Sequence, residues 1–262
     1  MQIENLAVAI LMLEEQGKLH VENPISSYIP DYPNGSNIQI SHLLSHTSGI
    51  KDFTRMSTIG NIAEKEMSPV EMLAFFKDEP VDVLPGTGFQ YNNSGYVILG
   101  YIIELVSSQT YQEFIQKNTF YKVAMTKSYY ANDRKIIPNR AYGYHHKSVG
   151  FVNKKSISFS VPYASGSLMS TLDDMLKWQN ALNKNSLLNP KYLEKAFTKQ
   201  HLNTEEQIEY GYGWHLKKWE DTNIREHGGS IFGFKSMRCT YPIEIFTLWG
   251  LAIAIVSPLL NW

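Results

Sequence analysis

Two side chains with useful chemistry, Tyr91 and Asn93, lie two residues apart where the turn Pro85-Gly-Thr-Gly88 gives way to an apolar, helix-like segment. Side chains at the mouth of a helix can project into a cleft, where a phenol could transfer a proton and an amide could hold a polar ligand. An ordinary tyrosine has a pKa of about 10, so Tyr91 needs a cationic neighbour before it can act as a base near neutral pH. Asn93 also has a structural interpretation, because asparagine is a preferred helix N-cap.

His227 is a third candidate, and it is followed by Gly228, Gly229 and Ser230. As a cation it could favour ionised Tyr91 or hold a substrate carboxylate, whereas a neutral ring could only hydrogen-bond. Taken alone, the pair of glycines favours a bulge or turn next to a surface histidine over a functional site.

Four stretches, taken in order, carry a family resemblance. They are Leu43-Leu-Ser-His-Thr-Ser-Gly-Ile50, Phe89-Gln-Tyr-Asn-Asn-Ser-Gly-Tyr-Val-Ile-Leu-Gly100, Gly166-Ser-Leu-Met-Ser-Thr-Leu-Asp-Asp174 and His227-Gly-Gly-Ser-Ile-Phe-Gly-Phe234. In this order and spacing the chain resembles the β-lactamase-related serine hydrolases: class C β-lactamases, D-Ala-D-Ala carboxypeptidases, penicillin-binding proteins and related esterases. The resemblance runs from about residue 1 to about residue 255, and the co-occurrence of the four stretches makes it specific.

The resemblance implies an α/β fold of the α+β type, with an antiparallel sheet flanked by helices beside a mostly helical region. We expect a single domain over 1–262. Residues 1–20 would be the remnant of the helix that carries the nucleophile, 21–205 the mostly helical region and 206–262 the strands of the sheet. Compared with the family, we expect the strands before the first helix and the helix after the last strand to be missing, which would leave an open sheet edge.

The family reaction is acyl transfer, in which a serine attacks a carbonyl and water later releases the acyl group. The resemblance places Tyr91 at the position of the general base and proton relay, and Asn93 at the residue that holds a substrate amide. His227 corresponds to the first position of a Lys-Thr-Gly-like strand. Gly229 would leave room for substrate, and the backbone N–H of Ser230 would supply half of the oxyanion hole.

The nucleophile motif of the family, Ser-x-x-Lys, is not found in the chain. The family helix ends in a Glu-Glu-Gly-Lys-Leu-like stretch, which reads here Glu14-Glu-Gln-Gly-Lys-Leu19. Counting back without a gap puts the lysine at Ile3 and the serine just before Met1. We therefore expect a chain that lacks both groups and is catalytically inactive.

Composition excludes several partners. The 24 Lys and Arg residues balance 25 Asp and Glu residues, which leaves no field that would attract nucleic acid or an anionic membrane. Cys239 is the single cysteine, so no intrachain disulfide forms. No cofactor or metal is implied. We expect a small-molecule or peptide ligand in the cleft, and self-association through the open sheet edge.

The chain opens without a signal-peptide pattern. Members of the family that it resembles are often exported to the bacterial periplasm or cell surface. Because these two observations disagree, the sequence predicts no compartment. Residues 245–256 are almost wholly apolar but shorter than the roughly 20 residues of a membrane span. Gly250 and Pro258 favour a buried strand over a span.

Local patterns predict the elements that position these groups. We expect a helix over 4–16, with Gly17 as its C-terminal cap. We also expect a short helix that Ser41 caps and that runs to residue 45, and a helix that Ser68-Pro69 opens and that runs to about residue 77. Further helices should begin at Asn93 or Ser94, at Thr110, at Thr171 and at Asn189-Pro190. From residue 207 the pattern predicts strands, at Tyr210-Gly-Tyr-Gly-Trp214, 223–227, 234–241 and 243–256.

Two other hydrolase chemistries compete with this interpretation. His42 and His46 have the spacing of zinc ligands, but Leu43 replaces the glutamate of His-Glu-x-x-His, and His145-His146 offers a third ligand only formally. Gly-x-Ser-x-Gly does not occur, which argues against an α/β-hydrolase. As substitute nucleophiles Ser48, Ser94 and Ser230 each lack a lysine three residues on.

Three functional hypotheses remain open. The chain is an inactive, truncated member of the serine hydrolase family; or it is a pseudoenzyme that binds a peptidoglycan-like or peptide ligand; or it is a fragment of an active penicillin-binding protein or esterase. The sequence does not select a substrate among β-lactams, D-Ala-D-Ala peptides and small esters.

Overall fold

One buried helix is central to the packing of the molecule. The structure is a computed structural model that describes residues 2–132, 134–241, 246–252 and 254–255, with side chains over the first two ranges. This helix, α1 (Gln2–Glu15), is buried from Ile3 to Glu14. It packs against helices of the helical region on several sides. Full burial of one large aliphatic side chain contributes about 1.5–3 kcal/mol, so α1 is a main source of stability.

The end of α1 follows from its sequence. Gly17 adopts a φ of +68°, a left-handed conformation that costs glycine little. Its N–H donates to the carbonyl of Glu14 at 2.9 Å, and the N–H of Lys18 donates to the carbonyl of Leu13 at 3.0 Å. These two bonds form a Schellman motif, so the predicted cap at Gly17 is confirmed.

The helical region follows α1 in the chain. Its helices are α2 (Ile40–Leu44), α3 (Pro69–Phe76), α4 (Asn93–Ser107), α5 (Tyr111–Ile115), α6 (Tyr163–Gly166), α7 (Leu172–Asn183) and α8 (Pro190–Ala196). Short 3-10 turns cover Ile25–Ser27, Phe53–Arg55 and Ser57–Asn61, and a π turn covers Gln116–Phe120.

Four of the predicted N-caps are confirmed. The hydroxyls of Ser68, Thr110 and Thr171 each accept from a backbone N–H three residues on, and the side chain of Asn189 accepts from Lys191. Two predicted caps were wrong by one or two positions. Gln39, not Ser41, precedes α2, and Asn92 rather than Asn93 or Ser94 caps α4.

The principal sheet is antiparallel and lies at the C-terminal end of the described chain. It has the order β5 (His215–Trp219), β6 (Thr222–Ile231), β7 (Phe234–Tyr241) and β8 (Phe246–Ala252). The strand predicted at 210–214 is wrong: these residues form a turn in which Tyr210 makes a single bridge to His215. The strand predicted at 243–256 covers β8 and β9 (Ala254–Ile255), while 242–245, 253 and 256 lie outside the described residues.

Short strands in the helical region were not predicted. β1 (Tyr129–Tyr130) pairs with β4 (Leu168–Met169), and the hairpin of β2 (Tyr144–Lys147) and β3 (Gly150–Asn153) pairs through β2 with β9. Segments of two to four residues carry too little periodicity to be recognised from sequence. Across the described residues, none of the helices is long and apolar enough to cross a membrane.

Candidate active site

The segment that carries Tyr91 is fastened to the stretch His46-Thr-Ser-Gly49. The backbone N–H of Gln90 donates to the carbonyl of His46, and that of Gly86 to the carbonyl of Thr47, each at 2.8 Å. Gly49 has a φ of +69°, and a Cβ there would lie 1.9 Å from the carbonyl oxygen of Val83. This contact requires glycine and holds the Tyr91 segment against the end of α2.

Tyr91 is placed between two histidines. Its ring centroid lies 4.2 Å from that of His46 and 5.9 Å from that of His227. The structure thus brings together two predicted site residues, Tyr91 and His227, that are far apart in the chain. It also adds His46, which the sequence analysis had considered as a zinc ligand and as part of the stretch Leu43–Ile50, but not as a neighbour of Tyr91.

Asn92 takes the structural role that the sequence had offered to Asn93. Its Oδ1 accepts from the N–H of Gly95 at 2.9 Å, its amide donates to the carbonyl of Ile50, and its own N–H donates to Nδ1 of His46 at 3.1 Å. Asn93 is therefore the first residue of α4 and has no capping role to fulfil.

Asp52 orients the amide of Asn93. Nδ2 of Asn93 donates to Oδ2 of Asp52 at 3.1 Å, and the hydroxyl of Thr54 donates to Oδ1 of Asp52 at 2.9 Å. A carboxylate only accepts hydrogen bonds, so the NH₂ group of Asn93 must face Asp52, and the amide oxygen lies on the opposite side of the group. Asp52 is 2% exposed, which makes this orientation firm.

His227 and the residues after it lie on β6. The side chain of His227 is 4% exposed, whereas Gly228, Gly229 and Ser230 are all exposed. Gly229 is opposite Ser236 and Ser230 is opposite Lys235 in the register with β7. The backbone of residues 228–230, along which the resemblance places the substrate, is thus exposed, while the side chain of His227 points into the protein.

Tyr210 joins the two buried histidines. Its hydroxyl lies 3.1 Å from Nε2 of His46 and 3.1 Å from Nε2 of His227. Burial lowers the pKa of His46 to about 3 and that of His227 well below its ordinary value. The lowered pKa values favour neutral rings near pH 7, and so the hydrogen-bonding option for His227 over the cationic one that would promote ionisation of Tyr91.

The environment of Tyr91 keeps its phenol protonated. Burial raises the pKa of Tyr91 well above the ordinary value, and the nearby carboxylate of Asp52 raises it further. The charge that acts on this phenol is therefore negative, the opposite of what a general base requires.

The rival sites gain no support. Among the residues with described side chains, no three His, Cys, Asp or Glu side chains are arranged to hold a metal ion. His42 instead accepts at Nδ1 from the N–H of Gln39 at 3.2 Å, which closes the start of α2. Ser94 is buried, donating to the carbonyl of Lys51 and accepting from the N–H of Phe53, so its hydroxyl is committed to the fold.

Comparison with known proteins agrees with the fold and with the four sequence stretches. Residues 6–261 match the Beta-lactamase family. The chain belongs to the beta-lactamase family. The resemblance to serine hydrolases of this family, and the α+β fold that it implies, are therefore confirmed.

Relatives of this beta-lactamase-family chain include penicillin-binding proteins. "Putative penicillin-binding protein PbpX" of Bacillus subtilis (strain 168) is 32% identical over 211 residues, which cover 80% of this chain and 51% of that protein. The crystal structure of a penicillin-binding protein from Bacillus halodurans superimposes with a TM-score of 0.83 at 28% identity, covering 95% of this chain and 79% of that one.

An assembly is described for one of the structural neighbours. The structure of the octameric penicillin-binding protein homologue from Pyrococcus abyssi superimposes with a TM-score of 0.82 at 26% identity, covering 98% of this chain and 61% of that one. The chain spans about half the length of the curated relatives it matches.

Two residues of this beta-lactamase-family site were missed by the sequence reasoning. Asp52 gave no signal beyond its place after the His46-Thr-Ser-Gly49 stretch. Tyr210 was assigned to a strand because alternating aromatic residues imitate the period of a strand. A turn signal was present in the glycines at 211 and 213, which alternate with those aromatic residues.

Proposed function

We propose that this chain binds a β-lactam or a D-Ala-D-Ala-like peptide at the cleft beside Tyr91, Asn93 and β6, and that as it stands it forms no acyl-enzyme. The observation that carries the proposal is the placement of Tyr91 against His227 with Asp52 as the charged neighbour. This arrangement keeps ligand-holding groups, and the charged side chain that acts on Tyr91 is the Asp52 carboxylate rather than the cation that acyl transfer by this family needs.

The proposed inactivity is supported by the residue at a catalytic position. Ile3, which the gapless count places at the lysine of Ser-x-x-Lys, is 3% exposed and belongs to the apolar core. An aliphatic side chain can neither accept a proton from a serine nor lower the pKa of Tyr91. Protonated Tyr91 can then donate a hydrogen bond to a ligand, but it cannot take a proton at neutral pH.

The strand register supports a ligand with an extended backbone. Among the described strands, β5 pairs with β6 only as far as Glu226, whereas β7 pairs with β6 as far as Ile231. Residues 227–231 of β6 therefore have a strand partner on one side. A peptide or a β-lactam can add its amide groups along the other side, as in β-strand addition. The amide of Asn93 would hold a second polar group of the ligand.

The test of inactivity is intact-protein mass spectrometry after incubation with a fluorescent penicillin, beside an active penicillin-binding protein as the positive control. We expect no mass increase in this chain and a stoichiometric adduct in the control. A stoichiometric adduct on this chain would overturn the proposal. Tryptic mapping would then show whether Ser48 or Ser230 carries it.

Binding is tested separately by ¹H–¹⁵N NMR titration with a D-Ala-D-Ala-terminated peptide. We expect saturable shifts of the backbone amides of Gly228, Gly229 and Ser230, and weaker binding by Asn93→Ala. Asn153→Ala, an exposed position on β3, is the matched control and should bind as the unaltered chain does. Shifts that do not saturate, or that lie away from β6, would remove the ligand assignment.

An alternative is that the chain is the binding portion of a longer, active hydrolase. It predicts the same NMR shifts, with activity restored only when a serine is supplied before α1 and a lysine replaces Ile3 within it. We further propose that 1–262 forms a single domain, and that it self-associates through β5, an edge of the principal sheet among the described strands. Size-exclusion chromatography with light scattering tests this; a sharp monomer peak would contradict it.

A further inference from the structure

We propose that His46 and Tyr210 are positioning residues, which hold His227 as the neutral tautomer with its proton on Nδ1. The inference deepens the proposed function. Only its consequence for the ligand rests on that function, whereas the tautomers do not. The geometry is a continuous line of hydrogen bonds from the start of α4, through the two histidines and Tyr210, to the exposed end of β6.

The direction of each hydrogen bond follows from its two ends. Nδ1 of His46 accepts from the backbone N–H of Asn92 at 3.1 Å, so it carries no proton. A neutral ring must then carry its proton on Nε2, which donates to the hydroxyl of Tyr210 at 3.1 Å. At the other end, Nδ1 of His227 lies 2.6 Å from the carbonyl of Gly228. Because a carbonyl only accepts, Nδ1 of His227 is protonated and Nε2 is the acceptor.

Tyr210 is the residue that makes these two conditions compatible. The hydroxyl of Tyr210 has one proton, and its neighbours are the two histidines and the hydroxyl of Tyr96, which itself donates to the carbonyl of Leu44 at 2.9 Å. Because Nε2 of His227 carries no proton, we assign the Tyr210 proton to Nε2 of His227 rather than to Tyr96, and Tyr210 accepts from His46. The two histidines thus adopt opposite tautomers. If both hydrogen bonds of Tyr210 ran in the opposite direction, Nδ1 of His46 would carry a proton that points directly at the backbone N–H of Asn92.

Burial makes this arrangement durable. His46, Tyr210 and His227 are respectively 1%, 1% and 4% exposed, so water does not compete for their hydrogen bonds. Besides His46 and Tyr210, the titratable groups that face His227 include the ring of His215 on β5, at 5.7 Å between centroids, and the ring of Tyr91 at 5.9 Å. The pKa of His215 is itself lowered, chiefly by burial, so this neighbour adds no fixed positive charge at neutral pH.

The consequence for the site is that His227 has no nitrogen to offer a ligand. One nitrogen accepts from Tyr210, and the other donates to the carbonyl of Gly228. His227 therefore acts through the backbone. It fixes the first peptide group of the exposed segment Gly228–Ser230, along which the proposed ligand would add.

The test is ¹⁵N NMR of the imidazole nitrogens in the full chain, near neutral pH. We expect His46 to show a protonated Nε2 and a bare Nδ1, and His227 to show the opposite pattern. This measurement needs no variant, so the proposal stays testable even if substitutions unfold the chain. A His227 ring that is protonated at Nε2 alone, or at both nitrogens, would overturn the proposal.

Tyr210→Phe then tests the role of the hydroxyl. Without the donor at Nε2, the two His227 nitrogen signals should move toward each other as the tautomers mix. Tyr212→Phe is the matched control, since Tyr212 lies in the same turn and is 5% exposed, and it should leave the His227 signals unchanged. Unchanged signals in Tyr210→Phe, with the fold intact, would contradict the positioning role.

Titration of the same samples with the D-Ala-D-Ala-terminated peptide separates this inference from the proposed function. If the unaltered chain binds, Tyr210→Phe should bind several-fold more weakly and Tyr212→Phe should bind equally. Equal binding by Tyr210→Phe would remove the consequence for the ligand. If no variant binds peptide while the tautomers behave as expected, the proposed function fails and the positioning role stands.

Discussion

Glu4 of α1 and Arg238 of β7 form an ion pair in which Oε1 and Nη2 are 2.7 Å apart and neither side chain is more than 3% exposed. Nη1 of Arg238 also donates to Oε1 of Gln179 on α7 at 3.2 Å, and its guanidinium lies 5.6 Å from the ring centroid of Trp214. The pair therefore links the first helix, the helical region and the principal sheet at one buried point.

We expect Arg238→Met to lower the free energy of unfolding by about 3–5 kcal/mol, because it removes the guanidinium that pairs with the buried Glu4 carboxylate. The double variant Glu4→Leu/Arg238→Met should recover most of that loss, since it removes both charges. Urea denaturation measures each value. The control is Lys199→Met, which breaks a more exposed pair at 3.5 Å with Glu209 and should cost less than about 1 kcal/mol. Equal losses for Arg238→Met and Lys199→Met would contradict the interpretation.

Two glycines have the same backbone conformation but different surroundings, so replacing each one separates the cost of a left-handed φ from the cost of a steric clash. Gly17 and Gly49 have nearly the same φ, +68° and +69°, but a Cβ at Gly17 meets nothing within 4 Å, whereas one at Gly49 lies 1.9 Å from the carbonyl oxygen of Val83. Gly17→Ala should cost about 1–2 kcal/mol, the cost of a left-handed alanine. Gly49→Ala should cost several kcal/mol more and broaden the NMR signals of the segment that carries Tyr91. A thermal unfolding series gives the stabilities, and similar losses in the two variants would refute the steric argument.

The contrast between Asn92 and Asn93 shows what the sequence could predict and what it could not. The turn, the helix and the presence of an asparagine cap were all predictable, because they depend on local preferences. Which of two adjacent asparagines caps the helix depends on the carbonyl of Ile50 and the ring of His46, which reach the site only in the folded chain.

The same distinction applies to Tyr210 and His227. The resemblance brought Tyr91 and His227 to one site, because motif order preserves topology. It could not give the charge state of His227, which depends on burial and on a hydrogen bond from Tyr210. Nor could local periodicity separate the turn at Tyr210 from a strand.

The orientation of the Asn93 amide gives a prediction about affinity. Asp52→Asn replaces an acceptor-only group by an amide, so Nδ2 of Asn93 is no longer forced toward residue 52. We expect the proposed peptide ligand to bind up to roughly tenfold more weakly, which corresponds to about 1.4 kcal/mol. NMR titration gives the dissociation constants, and Asp173→Asn on the exposed start of α7 is the charge-matched control. Unchanged affinity in Asp52→Asn alongside a clear loss in Asn93→Ala would show that Asp52 does not orient the amide.

The last prediction concerns acid stability. The pKa of His46 is lowered by burial from 6.5 to about 3 in the folded chain, so between these values the unfolded chain binds a proton that the folded chain does not. The stability that depends on neutral His46 is therefore fully present above pH 6.5 and is lost as the pH falls through this window, by up to about 1.4 kcal/mol per pH unit. His227 acts in the same direction.

Urea denaturation at several pH values from about 7.5 down to about 5 measures the slope. His46→Gln keeps an acceptor and a donor but cannot titrate, so its stability should fall less steeply with acid than that of the unaltered chain, whatever the substitution costs at neutral pH. His201→Gln, at an exposed position, should keep the original slope. Identical slopes for the unaltered chain and His46→Gln would show that His46 is not a buried neutral histidine, and the line of hydrogen bonds through Tyr210 would lose its starting point.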